Sequence, residues 1–98
     1  MNRQQRNQVI ASSNTILNVM FRLKQETGRL YGMDNLYEAV QPFTMGDVQK
    51  PKTRLKRASS SVSIIVDQVR LRHFGIFALI LCDNLRAYLH DLSQAIKE

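Results

Sequence analysis

Residues 74–96 read FGIFALILCDNLRAYLHDLSQAI, and the spacing of their apolar side chains determines which fold class the sequence predicts. The large apolar residues recur at steps of three or four, which places them along one face of an α-helix. They are Phe74, Phe77, Leu81, Leu85, Tyr88, Leu92 and Ile96. The sequence therefore predicts a long amphipathic helix over about residues 75–97.

A second long amphipathic helix is predicted near the start of the chain, over about residues 8–28. Val9, Ile16 and Leu23 stand seven residues apart, as one set of core positions in a coiled coil does. The companion positions, which lie four residues further on, are mostly polar and begin with Ser13. This pattern favours a bundle helix that buries one face over a long two-stranded coiled coil.

Two shorter helices are predicted between the long ones. Asp34 or Asn35 can cap the first, which Pro42 ends because the residue before a proline disfavours helical geometry. The hydroxyls of residues 59–61 can cap the next helix, whose apolar stripe does not continue into the stripe of the last helix. A break near Gly75 is therefore predicted. The stripe consists of Val62, Ile65, Val66 and Val69.

Residues 42–58 are predicted to form a basic loop, because they contain two prolines, one glycine and a run of lysines and arginines. A loop of this length is uncommon in a compact domain and is usually functional or disordered. The polar residues 1–7 are predicted to be a frayed N-terminus.

We therefore expect residues 1–98 to form one small all-α domain, either a helical hairpin or a four-helix bundle, with two long helices packed antiparallel. Two broad apolar stripes are more than a monomeric hairpin covers, so oligomerisation or a protein partner is expected to complete the core. The candidate interface residues are Ile16, Met20, Leu23, Phe77, Leu81, Leu85, Tyr88 and Leu92.

Composition narrows the class of protein further. A 98-residue chain that is 44% hydrophobic is expected to fold, but it is short for a deep active site. The single cysteine, Cys82, and a polar N-terminal octet without a signal-like apolar run predict an intracellular protein, cytoplasmic or nuclear and not secreted. The longest apolar run is about half of the ~20 residues that a membrane span requires.

No catalytic, cofactor or metal residue is predicted. The four glycines match no phosphate-binding loop, and His73, Cys82 and His90 lack the ligand spacing of a zinc site. Cys82 ends the most apolar run of the chain, where burial makes a thiol unreactive. We therefore expect a non-enzymatic protein without a cofactor, and these motifs identify no family.

The one distinctive segment is the basic run formed by Lys50, Lys52, Arg54, Lys56 and Arg57, which contains no acid. It accounts for five of the six net positive charges, because the rest of the chain carries nine cations against eight acids. Three interpretations stay open: a solvated loop, a phosphate-binding segment for nucleic acid, and a nuclear-targeting or acidic-partner patch. No aromatic residue interrupts the run, so base stacking is not indicated.

Ser59 is a candidate modification site, because residues 54–59, RLKRAS, resemble the recognition site of basophilic serine kinases. Its other predicted role is the helix cap. The leading functional hypothesis is a helical interaction or assembly subunit that binds itself or a protein partner. The alternative is a small nucleic-acid-binding regulator that uses Lys50 to Arg57, together with Arg3 and Arg6.

Overall fold

A computed structural model describes residues 1–97, which form four α-helices and contain no strand. The connecting turns, residues 28–32, 45–50 and 72–75, are short, so consecutive helices run antiparallel. The prediction of an all-α helical bundle is confirmed. The helices are α1 (Arg3–Thr27), α2 (Met33–Thr44), α3 (Pro51–Leu71) and α4 (Ile76–Lys97).

Each helix packs against two neighbours, so that α1 contacts α2 and α4, and α3 contacts the same two helices. The side-chain amide of Gln5 donates to the carbonyl of Ala95 at 2.7 Å, and the Arg22 guanidinium carbon lies 5.3 Å from the Phe77 ring centroid. These contacts show that α1 and α4 are antiparallel. We call the end with turns 28–32 and 72–75 the two-turn end, and the opposite end, with residues 1–6 and turn 45–50, the terminal end.

The core is filled mainly by aliphatic side chains from all four helices, and burial of their apolar surface is the main stabilising contribution. Polar Ser13 is also completely buried, and its hydroxyl donates to the carbonyl of Val9 at 2.7 Å. A buried hydroxyl with such a partner is tolerated inside a bundle helix. The twelve largest fully buried side chains are Phe43, Ile16, Leu23, Met33, Leu36, Ile65, Leu85, Leu92, Val9, Val40, Val69 and Cys82.

The prediction that residues 1–7 fray is wrong, because α1 begins at Arg3. The Asn2 side chain accepts a hydrogen bond from the backbone N–H of Gln5 at 2.7 Å, which caps the first turn. The contact from Gln5 to α4 then holds this turn against the bundle.

The predicted loop over residues 42–58 is also wrong, because only residues 45–50 lie outside helices. Pro42 lies inside α2, near its end, and Pro51 is the first residue of α3. A proline is well tolerated in the first turn of a helix, because its missing N–H has no helical partner there. Lys50 adopts the left-handed conformation, with φ 49°, and turns the chain into α3.

The prediction that the hydroxyls of residues 59–61 cap a helix is wrong, because these residues lie in the middle of α3. Consequently α3, with 21 residues, is about as long as α4, with 22, and the bundle has three long helices where two were predicted. The predicted break near Gly75 is confirmed, since α3 ends at Leu71 and α4 begins at Ile76.

Candidate functional site

Most of the interface residues predicted from the sequence lie inside the chain's own core. Six of the eight are buried, and Phe77 and Tyr88 alone keep part of their surface exposed. The short α2 packs against α1, and the long α3 packs against α4. These two helices cover the faces that we expected a partner to cover. The buried six, Ile16, Met20, Leu23, Leu81, Leu85 and Leu92, are therefore not available for contact with a partner in this fold.

Three of the four most exposed large apolar side chains lie instead toward the two-turn end. Tyr31, Leu71 and Ile76 are 84%, 78% and 74% exposed, and Ile80, one turn along α4 from Ile76, is 49% exposed. We call these four residues the apolar end. Tyr31 lies in the turn before α2, Leu71 ends α3, and Ile76 begins α4. The apolar stripes of the sequence do not include Leu71, Ile76 and Ile80. This position outside the stripes is the sequence signal that could have identified them as exposed.

Cations border the apolar end. The Arg22 guanidinium lies over the Phe77 ring, and the Arg72 guanidinium lies 5.1 Å from the centroid of the Phe74 ring. Within residues 1–97 neither Arg22, Arg70 nor Arg72 forms an ion pair. The nearest acids along α3 and α4 are Asp67 and Asp83, each about one helical turn from the apolar end.

One ion pair supports the turn at this end. The Arg29 guanidinium binds the Asp34 carboxylate at 2.7 Å, and this hydrogen bond lowers the pKa of the Asp34 carboxyl. A hollow of about 610 Å³ opens beside the pair, between turn 28–32 and the end of α3. The side chains of Tyr31, Gln68 and Arg72 line it, so the hollow adjoins the apolar end.

The basic run lies at the terminal end, with Lys50 in turn 45–50 and the other four cations in the first two turns of α3, and its five cations have different surroundings. Arg54 contacts the Asp47 carboxylate at 3.4 Å, and Arg57 contacts the Glu38 carboxylate at 2.9 Å. Helical spacing directs these two arginines toward α2 and its turn, and leaves the lysines in solvent. Lys50, Lys52 and Lys56 are exposed and form no ion pair within residues 1–97.

Arg6 of α1 lies against the turn that leads into this run. Its guanidinium donates to the carbonyl of Met45 at 3.4 Å and packs so closely on Gly46 that an added Cβ there would overlap it. In the same turn, the backbone N–H of Gln49 and the Arg54 guanidinium lower the pKa of the Asp47 carboxyl. The structure thus places Arg6 beside the basic run, whereas Arg3 is exposed on the first turn of α1.

A groove of about 440 Å³ separates α3 from α4. Ser59 lies on its α3 side, so the candidate modification residue is an exposed position in the middle of a helix. Among residues 1–97, the groove is lined by Leu55, Ser59, Val62, Ser63, Arg86, Leu89, His90 and Ser93.

Cys82 is buried on α4, and burial, reinforced by the charge of Asp83, raises the pKa of its thiol. A buried thiol with a raised pKa is a poor nucleophile. In residues 1–97 no three His, Cys, Asp or Glu side chains lie close enough to share a metal ion. None of the helices in that part of the chain has the length and apolarity needed to cross a membrane.

Comparison of the chain with protein-family models, with curated proteins and with solved structures found no significant match.

Proposed function

We propose that this protein is a non-enzymatic interaction subunit that binds a protein partner through its apolar end. The supporting observation is that Tyr31, Leu71 and Ile76, all more than 70% exposed, lie at one end of the bundle. Large apolar side chains grouped on a surface favour association, because contact removes them from water. The core of the monomer is already closed, so this association is not needed to complete the fold.

The cations at the apolar end favour a foreign partner over a second copy of the chain. In a symmetric dimer built on this end, Arg22, Arg70 and Arg72 of both copies would come into the same interface. Like charges brought together in this way oppose association. A partner segment that is apolar and flanked by Asp or Glu covers the apolar side chains and forms ion pairs with the arginines.

Capture of partners from the native host tests the proposal. The double variant Leu71→Ser/Ile76→Ser is compared with the wild type and with Met45→Ser, which removes an exposed apolar side chain from the terminal end. We expect a protein that the wild type and Met45→Ser capture and the double variant does not. Each purified capture candidate is then titrated against the three proteins.

Two results would contradict the proposal. Equal capture and equal affinity for all three proteins would show that the apolar end does not carry the binding. Light scattering over a wide concentration range measures whether the protein dimerises. If the wild type dimerises and the double variant does not, the partner of the apolar end is a second copy of the chain and not a foreign protein.

A second candidate function is nucleic-acid binding at the terminal end. This candidate is supported by three lysines, Lys50, Lys52 and Lys56, which are exposed and form no ion pair within residues 1–97. Arg6 lies beside turn 45–50, which leads into these lysines. Each lysine that neutralises a phosphate releases counterions, so binding of this kind weakens steeply with salt.

Titration of a labelled duplex and a labelled single strand at rising salt tests this candidate. The variant Lys52→Gln/Lys56→Gln leaves the Arg54–Asp47 and Arg57–Glu38 pairs intact and is expected to reduce the slope of log K against log salt by about two. Arg70→Gln/Arg72→Gln, at the opposite end, removes the same charge and should leave the slope unchanged. Equal slopes for the wild type and the lysine variant would reject this function.

A further inference from the structure

The groove between α3 and α4 has the dimensions of a small-molecule site. Its volume of about 440 Å³ falls within the range of roughly 300–1,000 Å³ that ligand pockets usually have. Buried Val62 forms part of its floor, with half-buried Leu55 and Leu89 beside it. An apolar floor of this kind can accept the body of an organic ligand.

Polar side chains from both helices converge on the same groove. Ser59 and Ser63 come from α3, and Arg86, His90 and Ser93 come from α4. None of these five side chains forms a hydrogen bond or an ion pair with the chain within residues 1–97. The groove therefore presents a guanidinium, an imidazole and three hydroxyls whose hydrogen-bonding capacity the fold does not use.

Some neighbouring side chains of α3, by contrast, are already paired within the fold. The hydroxyl of Ser61, on the same helix, donates to the carbonyl of Arg57 at 2.8 Å. Arg54 and Arg57 are both paired with acids. In the groove, Arg86 has no comparable carboxylate partner among residues 1–97.

Among residues 1–97, no carboxylate lines the groove. Asp91 lies next to His90 in the sequence but borders a different gap, on the α1 side of α4. Asp83 and Asp67 stand about one turn from Arg86 and Ser63, beyond the lining residues. The lining of the groove within the described residues thus offers a cation and many donors and no anion, which favours an anionic ligand.

We propose that the α3–α4 groove binds a phosphate monoester with an apolar or ring-bearing body. Arg86 supplies charge-assisted, bidentate hydrogen bonds to the phosphate oxygens, and His90 and the hydroxyl of Ser63 add further hydrogen bonds. The body of the ligand lies over Leu55, Val62 and Leu89. This site is separate from the apolar end and does not depend on the partner proposed there.

A titration monitored by amide NMR tests the site with phenyl phosphate as the probe. We expect saturable shifts centred on residues 55–63 and 86–93, with weaker binding of inorganic phosphate at the same residues and no such shifts with phenol. Arg86→Gln should weaken phenyl phosphate binding about tenfold or more, since hydrogen bonds to charged groups are the strong ones. Ser63→Ala should weaken it by roughly two- to tenfold.

Arg70→Gln is the matched control, because Arg70 is an exposed arginine without an ion pair in residues 1–97 and does not line the groove. It should leave the phenyl phosphate affinity unchanged, and the spectra of all variants report whether the fold is intact. The absence of saturable shifts up to about 10 mM probe, or equal weakening by Arg86→Gln and Arg70→Gln, would overturn the site. Equal affinities for inorganic phosphate and phenyl phosphate would overturn the assigned role of the apolar floor.

Discussion

Replacing Leu85 by alanine tests whether the stripe of α4 belongs to the core of the monomer or to an interface. Leu85 is 0% exposed and is packed within the core of the bundle. Three carbons at about 0.8 kcal/mol each give a transfer loss of about 2.4 kcal/mol. A cavity that does not collapse raises the total to roughly 3–5 kcal/mol.

This loss is a large share of the free energy of unfolding, which is about 5–15 kcal/mol for a chain of this length. Each kcal/mol shifts the Tm of such a domain by about 4–8 °C, so the Tm should fall by at least roughly 12 °C. Because α4 is covered by the chain's own helices, the loss should be the same at two protein concentrations that differ tenfold.

Urea unfolding followed by far-UV circular dichroism measures the effect, and Ile80→Ala is the control on the same helix. Ile80 is 49% exposed, so its replacement should change the free energy of unfolding by no more than about 0.5–1 kcal/mol. A cost of less than about 1 kcal/mol for Leu85→Ala, or a cost no larger than that of Ile80→Ala, would refute the burial of Leu85 in the core. A cost that depends on protein concentration would also refute it, because Leu85 would then be covered by another molecule.

Three further predictions concern the turns and the thiol. Gly32→Ala should destabilise the fold by about 1–3 kcal/mol in urea unfolding, because φ is 93° and a Cβ would lie 2.9 Å from a carbonyl oxygen of α3; Gly28→Ala, with φ 79° but open space around it, should cost less, and equal costs would refute the role of that contact. The lowered pKa of Asp47 favours its charged form in the folded state, so its stabilising contribution is present above its unfolded pKa of about 3.9 and is lost as the pH falls through the folded value. Asp47→Asn should therefore unfold at lower urea than the wild type at neutral pH and approach it in acid, and a constant gap would show that the charge of the carboxylate does not stabilise the turn through the Gln49 N–H and Arg54. Cys82 should react with a thiol reagent far more slowly in the native protein than in urea, since its thiol is buried and its pKa is raised; equal rates would contradict its place in the core.

The sequence predicted the helices whose apolar stripes are regular. The stripes of α1 and α4 recur at helical steps, and the structure has helices where they occur. The start of α3 could not be predicted in this way, because residues 51–57 contain one large apolar residue, Leu55, among four cations. In the structure these residues are helical and lie beside α2, which supplies Glu38 as the partner of Arg57.

The candidate surfaces were harder to predict than the helices. Hydropathy identifies the residues that need burial, but it does not say whether the same chain or a partner covers them. From the sequence, Leu81 and Leu85 are therefore equally compatible with a core and with an interface, and only the structure shows that α4 packs against α1 and α3 and buries both side chains. Leu71 and Ile76 stood outside the stripes, and only the meeting of the two turns at one end of the bundle groups them on a surface.

The sequence by itself determined that this chain is helical, that its core is aliphatic and that its net charge of +6 is concentrated around residues 50–57. These properties follow from the identity and spacing of neighbouring residues, which act within one or two helical turns. The tertiary structure alone decided which apolar residues stay exposed, which arginines are paired and that Arg86 and Ser63 face one groove. Such properties depend on contacts between helices that are distant in sequence, and local periodicity does not encode them.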